Sequence, residues 1–212
     1  MLLLLAPLGV AAQKSDFGNW LIYFGNKKID SKWNWHHEVQ LRNYNAIGDL
    51  EQLLLRTGIG YNLTENNNNL MMGYAFIHSE NYIANTDDKT SVDEHRVFQQ
   101  FITRQTFGRL KLQHRYRFEQ RWIAQDFRTR FRYFLLLNLA LQKQASATKG
   151  AYLSAYNEIF LNTRGTIFDR NRLYTGVGYQ VNKDLRFELA YMNQFLNGGQ
   201  RDQVNMVVFF SY

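Results

Sequence analysis

The chain contains no cysteine, and its single proline, Pro7, stands near the N-terminus of 212 residues. Without cysteine there are no disulfide bonds, no thiolate metal ligands and no cysteine nucleophile. Beyond Pro7, no proline interrupts a ladder of strand hydrogen bonds. The sequence also lacks any run of about 18 uncharged apolar residues, so it predicts no membrane-spanning helix.

The N-terminal residues form a short apolar run of a kind that targets proteins for export. Leu2 to Ala12 is apolar and ends in small residues before Gln13, as in the apolar region and cleavage site of a signal peptide. No basic residues precede this run, so two explanations stay open, a truncated start and a misassigned one. We expect a signal peptide over residues 1–13, followed by a single β-barrel domain over residues 14–212.

The most informative stretch runs from Gly108 to Gln142, where apolar and polar residues alternate along two long segments. A period of two is typical of a strand whose two faces meet different surroundings. Each segment is longer than the usual soluble strand of about 5–6 residues, and long enough to cross a bilayer as a tilted strand of about 9–11 residues. Arginine facing lipid near the midplane costs roughly 2–4 kcal/mol. We therefore expect the arginines to face a lumen and the leucines to face lipid.

The same alternation recurs along the rest of the chain and predicts an all-β fold. We predict a single antiparallel up-and-down transmembrane β-barrel of ten to twelve strands with a polar, arginine-rich interior. Ten strands are clear, whereas residues 16–26 alternate imperfectly, and an even strand number is the rule for bacterial single-chain barrels. The polar stretch 81–93 is predicted to be the longest loop, on the outer side of the membrane.

The predicted register divides the side chains into two sets. The outward set is Leu112, Phe118, Phe131, Leu135, Phe187, Leu189, Val208 and Phe210. The predicted interior charge network comprises Glu38, Arg56, Arg96, Arg115, Arg117, Glu119, Arg121, Arg128, Arg130, Arg132, Glu158, Arg170, Arg172, Arg186 and Glu188.

Arginine suits such an interior because its guanidinium can bridge two oxygen acceptors at once. A small barrel holds little water, so we expect these side chains to pair and fill the lumen. The expected role is therefore structural, in assembly, or in narrow transport. The functional alternative for the same residues is a narrow lumen that binds or conducts anions.

Histidine near the predicted outer rim raises a second alternative, an outer-membrane hydrolase. His78, Ser79 and His95 flank the predicted long loop, together with aspartates that could complete a nucleophilic triad. We favour ordinary rim polarity for them. His36 and His37 point to opposite faces of a strand and cannot share one metal ion. The sequence therefore predicts no catalytic, metal or cofactor-binding residue.

The charge pattern also bears on partners. The formal net charge of +7 could indicate nucleic-acid binding, but the basic residues alternate with apolar ones instead of forming a patch. The expected partner is outer-membrane lipid, the candidate ligand is an anion or a lipopolysaccharide phosphate, and no protein partner can be named. A third alternative is a soluble ligand-binding barrel, in which the apolar face would line the core.

Several segments together resemble a known family. They are His-Arg-Tyr-Arg-Phe-Glu-Gln-Arg at 114–121, Tyr-Asn-Glu-Ile-Phe at 156–160, the stretch 168–179 with its Gly-Val-Gly, and an aromatic C-terminal strand. With the exported start, they resemble the domain of unknown function 2490 family over nearly the whole mature chain. The resemblance implies a bacterial outer-membrane barrel and transfers no catalytic residue.

Overall fold

A computed structural model describes residues 17–45, 48–64, 67–142 and 149–212. The predicted signal peptide and most of the loop predicted at 143–150 lie outside these residues. The described chain forms β-strands joined by short turns. The strands are β1 (Phe17–Lys28), β2 (Trp33–Asn43), β3 (Leu50–Asn62), β4 (Asn68–Tyr82), β5 (Lys89–Phe107), β6 (Leu110–Ile123), β7 (Asp126–Ala140), β8 (Gly150–Asn162), β9 (Phe168–Gln180), β10 (Leu185–Leu196) and β11 (Gly199–Ser211).

These eleven strands close into a single barrel in which sequence neighbours pair antiparallel. Eleven strands fall within the predicted ten to twelve, but the expectation that all neighbouring strands pair antiparallel is wrong at one seam. With an odd number of up-and-down strands, the first and last run in the same direction, so β1 pairs parallel with β11, as in the pairing of Trp20 with Asn205. The described part of the doubtful segment, residues 17–26, therefore belongs to the strand that closes the wall.

Strand β1 alternates weakly because both of its faces are apolar. Trp20, Ile22 and Phe24 line the lumen, while Leu21 lies on the other face and is exposed. Tyr23 shares the outward face, where its hydroxyl meets His37 Nε2 at 3.1 Å. A strand of this kind lacks the polarity contrast from which its sides could be predicted.

The predicted sidedness agrees with the structure along the β6–β7 hairpin and beyond. Arg117 and Glu119 are buried on the inward register, whereas Phe131 and Leu189 are more than half exposed on the outward register. All eight predicted outward residues lie on outward registers, and Arg115, Arg130, Glu158 and Glu188 lie inward. The polar, arginine-rich interior is therefore confirmed.

The turns lie at two rims. Strands β1 and β11 both end at the rim that carries Tyr212, which we call the C-terminal rim, and the turns after β3, β5, β7 and β9 share it. At the opposite rim the β4–β5 hairpin extends furthest. The stretch predicted as the longest loop is mostly strand, since β4 continues to Tyr82 and β5 begins at Lys89. Both faces of the two strands carry polar side chains there, so the sequence shows no alternation that would predict a strand.

No helix in the described residues is long and apolar enough to cross a membrane.

Candidate functional site in the barrel lumen

Glu119 is the centre of the lumen's charge network. Its side chain is completely buried. Its carboxylate accepts hydrogen bonds from Arg132 Nη1 and Arg130 Nη2, both at 2.7 Å. Arg96 and Arg117 approach it at 3.5 and 3.6 Å. Three strands meet at this one carboxylate, because Arg96 comes from β5, Glu119 and Arg117 from β6, and the others from β7.

A second carboxylate, Glu158 on β8, extends the network to the next strand of the barrel. Its Oε1 accepts hydrogen bonds from Arg115 and Arg132, both at 2.7 Å. Arg132 therefore bridges Glu119 and Glu158, and this double contact uses the fork geometry of guanidinium. Arg172 on β9 comes only to within 3.9 Å of Glu158.

Three further acids each pair with one or two arginines. Glu94 pairs with Arg96 and Arg121, both at 2.7 Å, and Glu38 pairs with Arg56. Asp169, which the sequence analysis did not include, pairs with Arg130 at 2.6 Å and with Arg170 at 3.0 Å. Its register is shifted by the β-irregularity near Phe160, so counting by twos could not place it in the lumen.

Three predicted members of the network behave differently. Arg128 lies at the opposite rim, where it pairs with Asp126 at 2.7 Å while both side chains are more than half exposed. Glu188 accepts hydrogen bonds from the hydroxyls of Tyr152 and Tyr174 at 2.7 and 2.8 Å instead of from arginine. Arg186 lies 3.9 Å from the ring centroid of Phe209, and no described carboxylate lies within ion-pairing distance of it.

Aromatic rings inside the lumen support the arginines. Phe160 is 1% exposed, and the guanidinium carbons of Arg132 and Arg172 lie 4.3 and 4.7 Å from its ring centroid. Phe98 supports Arg117 in the same way, at 4.5 Å. Stacking on a ring face favours a cation where water is scarce. The inward register of the strands could have placed these rings, but only charged residues were predicted for the interior network.

Despite this packing, the lumen is not filled as the sequence analysis expected. It contains a cavity of about 850 Å³. Fourteen lysine and arginine residues line the cavity against five acidic ones. The lining reaches Ser31, Asp184 and Tyr212 at the C-terminal rim. At the opposite rim it does not include the ion-paired Lys89, Asp49 and Glu80. The cavity is therefore a basic chamber whose lining extends to the C-terminal rim.

The suggested hydrolase residues do not come together as a triad. Ser79 lies on the inward register, and its hydroxyl accepts a hydrogen bond from Gln52 Nε2 at 2.7 Å. His78 lies on the outward register and contacts Asp93 at 2.6 Å. His95, also outward, contacts the Tyr74 hydroxyl at 2.5 Å. Serine and histidine are thus separated by the barrel wall. No group of three or more potential metal-ligating side chains occurs among the described residues.

Comparison with known proteins adds a family to this geometry. The model of a family described as a protein of unknown function, DUF2490, matches residues 17–205. The chain belongs to the DUF2490 family. This DUF2490 chain is also similar to an uncharacterised protein of Methylorubrum extorquens, with 29% identity over 168 residues that make up 74% of this chain and 69% of the relative. Neither description states an activity.

Proposed function

We propose that the protein is an integral β-barrel of the bacterial outer membrane whose ion-paired lumen maintains the shape of the wall. The observation that carries this proposal is the inverted polarity of the barrel. Its buried interior holds Glu119 and its arginines, while large apolar side chains such as Met72 and Leu189 are about 60% exposed outside. A soluble barrel has the opposite arrangement, because exposed apolar surface of this extent promotes aggregation in water.

The distribution of charge on the outer surface supports the same location. Every Asp, Glu, Lys or Arg on an outward register of a described strand lies within five positions of a strand end. Asp93 and Asp202 are the innermost of them. The free-energy cost of a charged side chain facing lipid is highest at the bilayer midplane and falls near the interfaces. Charges confined to the strand ends are therefore expected of a lipid-facing belt.

Two pairs of polar side chains on the outer surface bond to one another. His114 contacts the Tyr133 hydroxyl at 2.9 Å, and the amides of Asn157 and Asn171 bond reciprocally at 2.8 and 3.1 Å. Water would satisfy such groups on a soluble protein. In hydrocarbon an unpaired polar group costs several kcal/mol, so mutual pairing favours a lipid environment.

Aromatic side chains occur outside near both rims. Trp33, Trp35 and Tyr61 lie toward the C-terminal rim, and Trp122 and Phe127 pack together near the opposite rim with centroids 5.2 Å apart. Aromatic girdles at the two interfaces are typical of outer-membrane barrels. With the C-terminus on the periplasmic side, the extended β4–β5 hairpin points out of the cell and the chamber lining extends to the periplasmic rim.

Fractionation tests this location. We expect the protein in the outer-membrane fraction, resistant to alkaline extraction, and faster on a gel before boiling than after. A protein that appears in the soluble periplasmic fraction, and that shows no heat-dependent mobility, would support the soluble ligand-binding barrel instead.

A second candidate role, a narrow path for anions, is favoured by the excess of basic residues along the chamber. Planar bilayers distinguish the two roles. The structural role predicts poor conductance by the wild-type barrel and slightly higher conductance after arginine-to-alanine changes in the network. Large, steady, anion-selective current steps from the wild-type protein would establish the channel.

A further inference from the structure

The lumen wall around Trp20 carries hydrogen-bond donors that lack acceptors. Trp20 is 3% exposed, and its indole Nε1 has no hydrogen-bond partner among the described residues. The guanidinium carbons of Arg42 and Arg172 lie 3.7 and 4.8 Å from the centroid of the same ring. Arg56 Nε, also buried, lacks a partner as well. All of these groups can only donate.

The nearby carboxylates are already occupied by other bases. Glu38 pairs with Arg56, Glu158 with Arg115 and Arg132, and Glu51 with Arg201 at 2.5 Å. Arg42 donates only to the amide oxygens of Gln40 and Gln52. No described carboxylate comes within ion-pairing distance of it. Uncompensated positive charge in a partly buried site is unfavourable, so an anion would stabilise this part of the lumen.

The chamber has room for such an anion and a route to it. A volume of about 850 Å³ lies within the range of about 300–1,000 Å³ found for ligand sites. Arg104 and Arg186, which also line the chamber, have no described carboxylate partner. Between these arginines and Trp20 the lining includes the apolar Ile22 and Phe24. An anion entering from the C-terminal rim would therefore meet positive charge at Arg104 and Arg186 and again beside Trp20.

We propose that the chamber binds a phosphate-bearing anion, with a phosphate between Arg42 and Arg172 at the edge of the Trp20 ring. Guanidinium matches the geometry of phosphate oxygens and binds them through two parallel hydrogen bonds. Trp20 Nε1 and Arg56 Nε are further donors available within the same wall. The phosphate can belong to a small soluble anion or to a lipid headgroup, and the chemistry of recognition is common to both. This site does not depend on the membrane location proposed above.

Calorimetry on the full chain, refolded in uncharged detergent, tests the site with two probes. Pyrophosphate represents the soluble anion, and lysophosphatidic acid in mixed micelles represents the headgroup. We expect at least one probe to bind, with affinity that falls as salt screens the charges. Arg42→Gln should weaken that binding roughly tenfold or more, the loss typical of charge-assisted hydrogen bonds. Arg128→Gln is the matched control, since it removes the same charge from the exposed rim.

Arg42→Gln should fold, because it leaves no carboxylate without a partner. Should it fail to fold, Trp20→Phe keeps the ring and removes the Nε1 donor, and it should also weaken binding. Preference for pyrophosphate identifies a soluble anion, and preference for lysophosphatidic acid identifies a headgroup. The proposal is overturned if folded wild-type protein binds neither probe. It is also overturned if Arg42→Gln, or Trp20→Phe where Arg42→Gln does not fold, binds as tightly as the Arg128→Gln control. The fractionation experiment tests the membrane location separately, and its outcome does not depend on whether either probe binds.

Discussion

Arginine has different surroundings on two walls of the same lumen. On the wall built by β5 to β8, which we call the paired wall, Arg96, Arg130 and Arg132 each contact Glu119 and at least one further carboxylate. On the wall around Trp20, which we call the donor wall, Arg42 donates hydrogen bonds only to amide oxygens. The arginines that contact Glu119 on the paired wall share carboxylates, so their charge is compensated there without a ligand. On the donor wall, Trp20 Nε1 and Arg56 Nε have no acceptor among the described residues. This difference indicates a structural role for the first wall and a binding role for the second.

The largest expected effect breaks the paired wall. Glu119→Ala removes the carboxylate shared by four arginines and leaves them buried beside one another. Loss of one partner from a buried ion pair destabilises a protein by about 3–5 kcal/mol, so we expect a decrease of that size in the free energy of unfolding. Glu158→Ala should act in the same direction. Urea unfolding in lipid vesicles, followed by tryptophan fluorescence, measures both.

The control for that prediction lies in the same hairpin. Asp126 and Arg128 form an ion pair of 2.7 Å with both side chains more than half exposed. An exposed pair contributes about 0–1 kcal/mol, so Asp126→Ala should leave the unfolding curve nearly unchanged. If Asp126→Ala and Glu119→Ala cost the same, burial does not distinguish the two pairs and the paired wall has no special role.

A smaller effect, of different sign, is expected on the donor wall. Arg42→Gln removes a cation that has no described carboxylate partner, so it relieves repulsion without leaving a charge unpaired. We expect the free energy of unfolding to rise or to change by less than about 1 kcal/mol. A loss comparable with that of Glu119→Ala would mean that Arg42 stabilises the fold in the way the paired arginines do.

The smallest effect concerns a carboxylate outside the lumen. Asp30, in the turn between β1 and β2, accepts hydrogen bonds from the backbone N–H groups of Trp33 and Lys32 at 2.8 and 2.7 Å. These bonds lower the pKa of Asp30 below its ordinary value of 3.8. Because the folded pKa is lowered, the turn is stabilised above the ordinary pKa, and that stabilisation is lost as pH falls through the folded pKa.

Nuclear magnetic resonance can follow this titration in micelles. The amide shifts of Lys32 and Trp33 should move together with a midpoint below 3.8, and Asp30→Asn should abolish the shared transition. A midpoint at or above the ordinary value would show that the backbone bonds do not hold the carboxylate.

The amount that the sequence could predict differs between these regions for physical reasons. The face of a strand on which a side chain lies depends only on its position along that strand. The alternation therefore predicted Arg117, Glu119 and Arg130 inside and Phe131 outside. Closure of the barrel is not local, and nothing in β1 itself indicates a parallel partner almost two hundred residues away. Ion pairing depends on how neighbouring strands are offset. Thus Glu188 was predicted among the arginines but is held by tyrosine hydroxyls.

The central claim is that apolar side chains face lipid and charged side chains face the lumen. Since the chain has no cysteine, a single cysteine introduced on the β6–β7 hairpin can be labelled uniquely with a nitroxide. In lipid vesicles, labels at Leu112, Phe118 and Leu135 should collide often with oxygen, which concentrates in lipid. Labels at the inward-facing Gln113, Arg115 and Leu136 should collide with it rarely, giving a period of two. Equal accessibility to a water-soluble nickel reagent at all six positions would contradict the account.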